Sequence, residues 1–411
     1  KIEPLSSILA ERESILRMDS IALSVTLSLL THEQRDKLLK VGSLISVAQV
    51  FATLPDPRSR HGQRYDLSFL LTCLLAAMLC GCNSTVAVAQ WCQERQDFLR
   101  QVFGPRQFLS PSDSLYRWLL PQLSVEALEG ALSYWVQITL IAKPDDPIAL
   151  DGKTVRGART GDGKAPHLLS FSTHESQEIL FEVQVDEKTN EIPSAQIYLS
   201  LLPLAGRVCT ADALHTQTDF LRAVLDLYGH VVLTVKQNQS TLYDDLALYF
   251  SDPAASFEEA ETIDRHRGRK EIRRIKVTAA LNDYLQATWP HIEQVAQLTR
   301  ITTRDGKTSH EIVYLITTLP REQASPARLL KLIRGHWSIE NCLHYVRDVT
   351  FCEDRSKLRT GHAPQVMAAL RNLALTLIHR HGSSRIAATR RSLGYHPDRA
   401  LAWLCDVPAT A

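Results

Sequence analysis

The chain has 411 residues, 45% of them hydrophobic and 22% charged, the composition of a folded protein with more than one core, which excludes a disordered scaffold or a collagen-like fibre. Lys plus Arg number 46 against 45 Asp plus Glu, a formal net charge of +1; that balance alone argues against a nucleic-acid partner until the distribution of charge is examined. Eight cysteines lie mostly in apolar runs and are too sparse for a disulfide scaffold, as in a reduced cytoplasmic protein.

Residues 1–45 read as short helices, and no basic-then-apolar leader follows Lys1. Asp56-Pro57-Arg58-Ser59-Arg60-His61-Gly62-Gln63-Arg64 is a breaker-rich basic loop. The apolar run from Leu67 to Cys80 that follows is shorter than the roughly 20 residues that span a bilayer and reads as a buried helix. Val88, Trp91, Cys92 and Leu99 form a helical stripe. Pro111-Ser112-Asp113 starts a helix through Tyr116 and Trp118, and another runs from about Val125 to Ile141. Residues 46–142 are therefore expected to be all-helical.

From Pro147 the pattern changes. Ile148-Ala149-Leu150 and Arg207–Ala211 are short strands, each running into a carboxylate, Asp151 and Asp212. Ile179–Val185 alternates as a strand, and Val231–Lys236 is a third buried one. Helices near Ser194–Leu202 and Thr216–Tyr228 intervene, so residues 143–238 with 311–378 read as an α/β core with parallel strands. Residues 239–310 read as a β-rich insertion, with Asp305-Gly306 as a hairpin turn. A long helix is expected from about Pro326 to Asp348, and residues 379–411 as a basic C-terminal tail.

Ligand sites in open α/β sheets lie beyond the carboxyl ends of strands, which points Asp151 and Asp212 at one crevice. Glu340 lies on the long helix, where His336, Glu340, His344 and Arg347 fall on one face at helical spacing. Three carboxylates from distant segments suit Mg²⁺, a hard cation that prefers oxygen ligands. Taken singly, Asp-Gly is a common turn and Asp212 a natural helix cap; only the conjunction points to chemistry. His336, Glu340 and His344 on one helix would alternatively suit zinc.

The chain resembles DDE-type insertion-sequence transposases of the H-repeat-associated (ISAs) group. The resemblance lies in Asp56–Gly62, in Ile148–Gly157, in Thr210-Ala211-Asp212-Ala213-Leu214-His215-Thr216-Gln217, and in His336-Trp337-Ser338-Ile339-Glu340-Asn341 with Asp348–Asp354. It implies an RNase H-like catalytic core with a β-rich insertion, preceded by an all-helical, transposase-associated DNA-binding domain. It implies Asp151, Asp212 and Glu340 as the catalytic and metal-holding triad. Related transposases carry a Tyr–Arg–Glu–Lys signature around the third carboxylate. Here its Tyr, Arg and Lys positions are Ile333, His336 and Arg347.

The expected reaction is cleavage of element ends and their joining to target DNA. Two Mg²⁺ or Mn²⁺ ions, about 3.5–4 Å apart, would activate the nucleophile and stabilise the leaving oxygen. The partners implied are double-stranded DNA (terminal inverted repeats and target) and a second copy in a synaptic homodimer. A catalytically inactive DNA-binding relic, and a metal-dependent nuclease without strand transfer, are the alternatives.

Basic residues cluster. Residues 265–276 hold seven Lys or Arg against one Glu, and 355–399 nine against one Asp, enough in each case to neutralise several phosphates. The DNA contacts expected are Arg58, Arg60, Arg64, Lys153, Arg156, Arg265, Arg267, Arg269, Arg273, His336, Trp337, His344 and Arg347. The near-zero net charge thus conceals segregated segments and excludes no DNA partner.

Overall fold

A computed structural model of the chain describes residues 45–104, 110–139, 145–159, 165–185, 191–266 and 268–406; the short helices expected over 1–44 fall outside them. The nine strands are β1 (Ile148–Thr154), β2 (His167–Thr173), β3 (Ile179–Val185), β4 (Val208–Ala211), β5 (His230–Val235), β6 (Glu258–His266), β7 (Arg269–Thr278), β8 (Gln294–Arg304) and β9 (Lys307–Thr317). The described chain forms two compact units, one of residues 145–151 and 191–339, the other of 45–139, 152–185 and 340–406. Their division falls inside β1, after Asp151, and again just before Glu340.

In the first unit the strands run in the order β1-β4-β5-β9-β8-β7-β6. The pairs β1–β4 and β4–β5 are parallel, as the strand–helix alternation predicts, with Leu150 opposite Ala211 and Ala211 opposite Leu233. From β5 onward every pair is antiparallel. Asp305 and Gly306 both have positive φ, 50° and 75°, the two-residue turn that suits the strand twist of a hairpin. Residues 239–310, expected to be a β-rich insertion, hold strands β6 to β8, and the structure differs from the expected limits in two ways. A helix, Ser240–Ser251, heads it. Its last strand, β9, starts at Lys307 and pairs with both β8 and β5, so the insertion continues the core sheet. Val208, Val232, Ile275, Leu298, Leu315 and Leu330 share one apolar core.

The second unit is helical except for β2, β3 and the last residues of β1, and β2 lies between β3 and β1. Serines start four of its helices: the side chains of Ser46, Ser84, Ser112 and Ser124 accept the backbone N–H groups of Gln49, Ala87, Leu115 and Ala127, each cap contributing about 1 kcal/mol. Helix Leu67–Leu79 is buried nearly all round, which is why it reads as an unbroken apolar run. Tyr116 is fully buried while Trp118 on the same short helix is half exposed. Residues 379–406 are no tail: helices Ile386–Tyr395 and Pro397–Cys405 pack on Leu67–Leu79.

The long helix is interrupted. Pro326–His336 starts on a Ser325 cap with Pro at its first turn, then a π-helical segment, Ile339–His344, carries Glu340 before Tyr345–Val349 resumes α geometry. Such π insertions concentrate at functional sites.

Candidate active site

The register of β1 and β4 ends with Leu150 opposite Ala211. Asp151, inside β1, and Asp212, just past the end of β4, therefore each lie one residue beyond the last paired positions, at the carboxyl end of β4 where α/β folds bind ligands. Asp151 does not end its strand as expected, because β1 continues to Thr154. Asp212 caps the turn Ala213–His215, its Oδ1 accepting Leu214 N–H at 3.0 Å; the structural role and the carboxylate's position coexist. Asn238 Nδ2 donates to Ala213 O at 2.6 Å and Gln239 Nε2 to Thr216 O at 2.8 Å, so both brace the loop behind Asp212.

His336 bonds Thr210 Oγ1 through Nδ1 at 3.1 Å. Burial pushes its pKa down to about 4, against the opposing pull of Asp212 and Thr210. At neutral pH it is an uncharged imidazole and brings no positive charge to a phosphate. Its bond to Thr210, and the π segment that follows, also remove the single-helix zinc arrangement with Glu340 and His344. Trp337 is half exposed, with the Arg300 guanidinium 5.9 Å from its ring centre.

In the second unit Glu340 is 54% exposed and its Oε2 lies 3.2 Å from Nδ1 of His344, itself buried at 4%. The His344 hydrogen bond is the main cause that lowers the Glu340 pKa; burial opposes it, and the charges of His344, Lys153 and Arg156 add to it. Glu340 is thus held as a carboxylate, the form that binds a metal. Asp151, Glu340 and His344 each offer a ligand atom of a kind metals take.

The expected face of His336, Glu340, His344 and Arg347 does not form a stripe open to DNA. Arg347 is fully buried: its Nε and Nη2 donate to Glu353, and its Nη1 donates to Glu182 at 2.5 Å and to Asn372 at 3.3 Å. Lys153, also buried, donates to both carboxylate oxygens of Asp348 at 2.6 and 2.7 Å. Arg58 is buried against Asp56 and Tyr65 O. These three cations, and the buried His344, are therefore committed inside the protein and are not surface contacts for phosphate. A sequence shows charge but not burial, and each of the three pairs with an acid or a carbonyl that the fold supplies.

Arg60, Arg64, Arg156 and Arg265 are exposed. Arg269 and Arg273 pair with Glu271, and Arg273 also with Asp264 at 2.6 Å, which weakens the expected phosphate grip of β7. Arg267 lies outside the described residues. Of the basic residues over 355–399, Arg371, Arg380 and Arg390 are structural. Arg390 donates to Met78 O at the end of Leu67–Leu79, to Cys82 O and to Thr350 O.

The transposase DDE domain family matches residues 142–377, and the DDE transposase-associated family residues 48–136. The chain belongs to the DDE transposases. "Putative transposase YncI" of Escherichia coli O157:H7 is 26% identical over 82% of this chain and 88% of its own length. "H repeat-associated putative transposase YhhI" of E. coli K12 is 25% identical over 79% and 88%. An uncharacterised protein from the dhlA 3′ region of Xanthobacter autotrophicus is 32% identical over 65% and 92%. A piggyBac transposase synaptic complex with hairpin DNA aligns at a TM-score of 0.45 and 10% identity, over 92% of this chain and 80% of that one, too weak a likeness to argue from. The resemblance to the H-repeat-associated group is thereby established, and with it a DNA-processing enzyme class. No helix among the described residues of this DDE transposase is long and apolar enough to cross a membrane.

Proposed function

We propose that this transposase cleaves the ends of its insertion element and joins them to target DNA, at a divalent-metal site held by Asp151, Asp212 and Glu340 in an RNase H-like core. The observation that carries the reading is the placement of Asp151 and Asp212 one register step beyond Leu150 and Ala211 on neighbouring parallel strands. Support also comes from Asp151, Glu340 and His344 as potential metal ligands, and from the β-rich insertion between the second and third carboxylates.

Carboxylate oxygens fit Mg²⁺, and the imidazole beside Glu340 makes Mn²⁺ an equally natural occupant. The bound ion supplies Lewis acidity and neutralises charge on the scissile phosphate. The protein's own groups do the rest. Asp151, Asp212 and Glu340 would hold that ion through their carboxylate oxygens. His344 keeps Glu340 ionised and oriented. Arg156, exposed and close enough for its charge to act on Glu340, contacts the DNA backbone next to the cut. Arg60, Arg64 and Arg265 add sequence-independent phosphate contacts. Two DNA ends require two active sites, so the working form is a homodimer on terminal inverted repeats.

Incubating the protein with its element's ends and Mg²⁺ or Mn²⁺ tests the reading. Cleavage followed by joining supports transposition. Cleavage without joining indicates a nuclease, and binding without cleavage an inactive relic; either result overturns the proposal.

A further inference from the structure

Seven residues after Glu340, at the position of the signature's lysine, stands a buried cation, Arg347. We infer that Arg347, seconded by Lys153, is a positioning residue: it fixes the helical segment that carries Glu340, and so sets metal affinity without touching metal or DNA. The inference rests on the proposed role of Glu340.

The geometry is a closed set of ion pairs beneath the segment Glu340–Val349. Arg347 is gripped from three elements. Its Nε and Nη2 reach Glu353 at 2.9–3.2 Å, in the turn after the segment. Its Nη1 reaches Glu182 on β3 at 2.5 Å and Asn372 on helix Ala363–Arg380 at 3.3 Å. The partners are fastened in turn: Ser170 on β2 donates to Glu182 at 2.6 Å, and Arg371 to Glu353 at 3.0 Å. Lys153, on the second half of β1, holds Asp348 at 2.6 Å and approaches Glu353 at 3.9 Å. Lys153, Arg347 and Arg371 thus face Glu182, Asp348 and Glu353; Asp354 lies beside them, and burial together with Glu182 pushes the neighbouring Glu129 carboxyl towards its uncharged form.

A surface phosphate grip would look different. Arg347, Glu353, Glu182 and Arg371 are each at most 3% exposed, so the network does not exchange partners with solvent. Burying charges for stability alone is a poor strategy, because desolvation offsets most of the attraction. What a multidentate buried fork supplies is a fixed direction. That matters here because Glu340 is half exposed and sits in a π segment, a geometry that does not hold itself as an α-helix does. Metal ligands must lie within a few tenths of an ångström of their ideal distance, and residues that orient them change affinity by about 10–100-fold.

Mn²⁺ binding to the full chain, measured by calorimetry or electron paramagnetic resonance without DNA, tests this. Arg347→Met is expected to weaken Mn²⁺ binding about tenfold or more per folded molecule, and DNA cleavage should recover partly at raised Mn²⁺. Arg347→Lys, which keeps charge but loses the fork, should fall between. Arg380→Met is the structural control: Arg380 is buried against Glu178 and Thr139, and its loss should lower stability while leaving Mn²⁺ affinity unchanged. Should Arg347→Met not fold, Asp348→Asn, at a partly exposed position, is expected to weaken Mn²⁺ binding in the same direction. Unchanged affinity in the folded Arg347 variants, or in Asp348→Asn if they do not fold, overturns the inference. Glu340→Gln separates the two claims. If it too binds Mn²⁺ as wild type, the metal reading itself fails; if it alone loses binding, only the positioning role fails.

Discussion

Replacing Glu353 by Gln keeps its shape and removes the one carboxylate that Arg347 and Arg371 share. Both guanidinium groups are buried, and Lys153 lies 3.9 Å away. Burial alone would raise the Glu353 pKa, but Arg347, Arg371 and Lys153 outweigh it and hold the carboxyl at about 2, against an ordinary 4.5. At ~1.4 kcal/mol per pKa unit the difference corresponds to ~3 kcal/mol of native-state stabilisation, in line with the roughly 3–5 kcal/mol lost when a buried ion pair is broken on one side. The sign follows from the depressed value. The contribution is complete above the unfolded pKa near 4.5 and is lost as pH falls from there towards 2. Urea unfolding followed by circular dichroism should show Glu353→Gln destabilised by about 3 kcal/mol at pH 7. The gap to wild type should close as pH drops through 4. A loss under 1 kcal/mol at pH 7, or a gap independent of pH between 5 and 3, would refute the account of this network.

Gly157 is expected to tolerate no side chain: a Cβ there would stand 2.5 Å from Glu353 O and 2.8 Å from Asp354 O, both backbone atoms. Gly157→Ala should cost about 1–3 kcal/mol by overpacking, and an unchanged unfolding midpoint would contradict the contact. His336, its pKa lowered to about 4 mainly by burial, is neutral when folded and charged when unfolded between that value and 6.5. Stability should therefore be complete above pH 6.5 and fall as pH drops towards 4; His336→Asn should flatten that part of the profile. Arg156→Ala should leave the unfolding midpoint unchanged while lowering DNA affinity and reducing the salt slope of binding by about one. An unchanged slope would remove Arg156 from the DNA interface.

The elements legible in the sequence were those whose pattern follows from local chemistry. The Ser112 cap, the Asp305-Gly306 turn and the apolar run at Leu67 announce themselves in a few residues, and β1, β3, β4 and β5 were recognisable from buried or alternating runs. β2 was not. His167-Leu168-Leu169-Ser170-Phe171-Ser172-Thr173 is buried along its whole length, so it shows no inside–outside alternation, and a polar member such as Ser170 is satisfied by Glu182 on the neighbouring strand β3. The break in the long helix was hidden because the π segment is six residues long, under two turns, too short for its different period to show in the hydrophobic pattern. For the site, residue type and order around the strands sufficed to nominate the three carboxylates. Charge alone misassigned Arg58, Lys153 and Arg347. Their partners Asp56, Asp348 and Glu353 are close in sequence to some of them, yet only packing decides that such cations turn inward.

The central claim is metal-dependent DNA cleavage by Asp151, Asp212 and Glu340. Its most direct measurement is strand cleavage of end-labelled DNA carrying the element's own termini, in Mn²⁺, by wild type and by Asp151→Asn, Asp212→Asn and Glu340→Gln. The account predicts cleavage by wild type, a loss of about 10³-fold or more in each variant, and DNA binding retained in all three. Cleavage persisting near the wild-type rate in any one of them would contradict it.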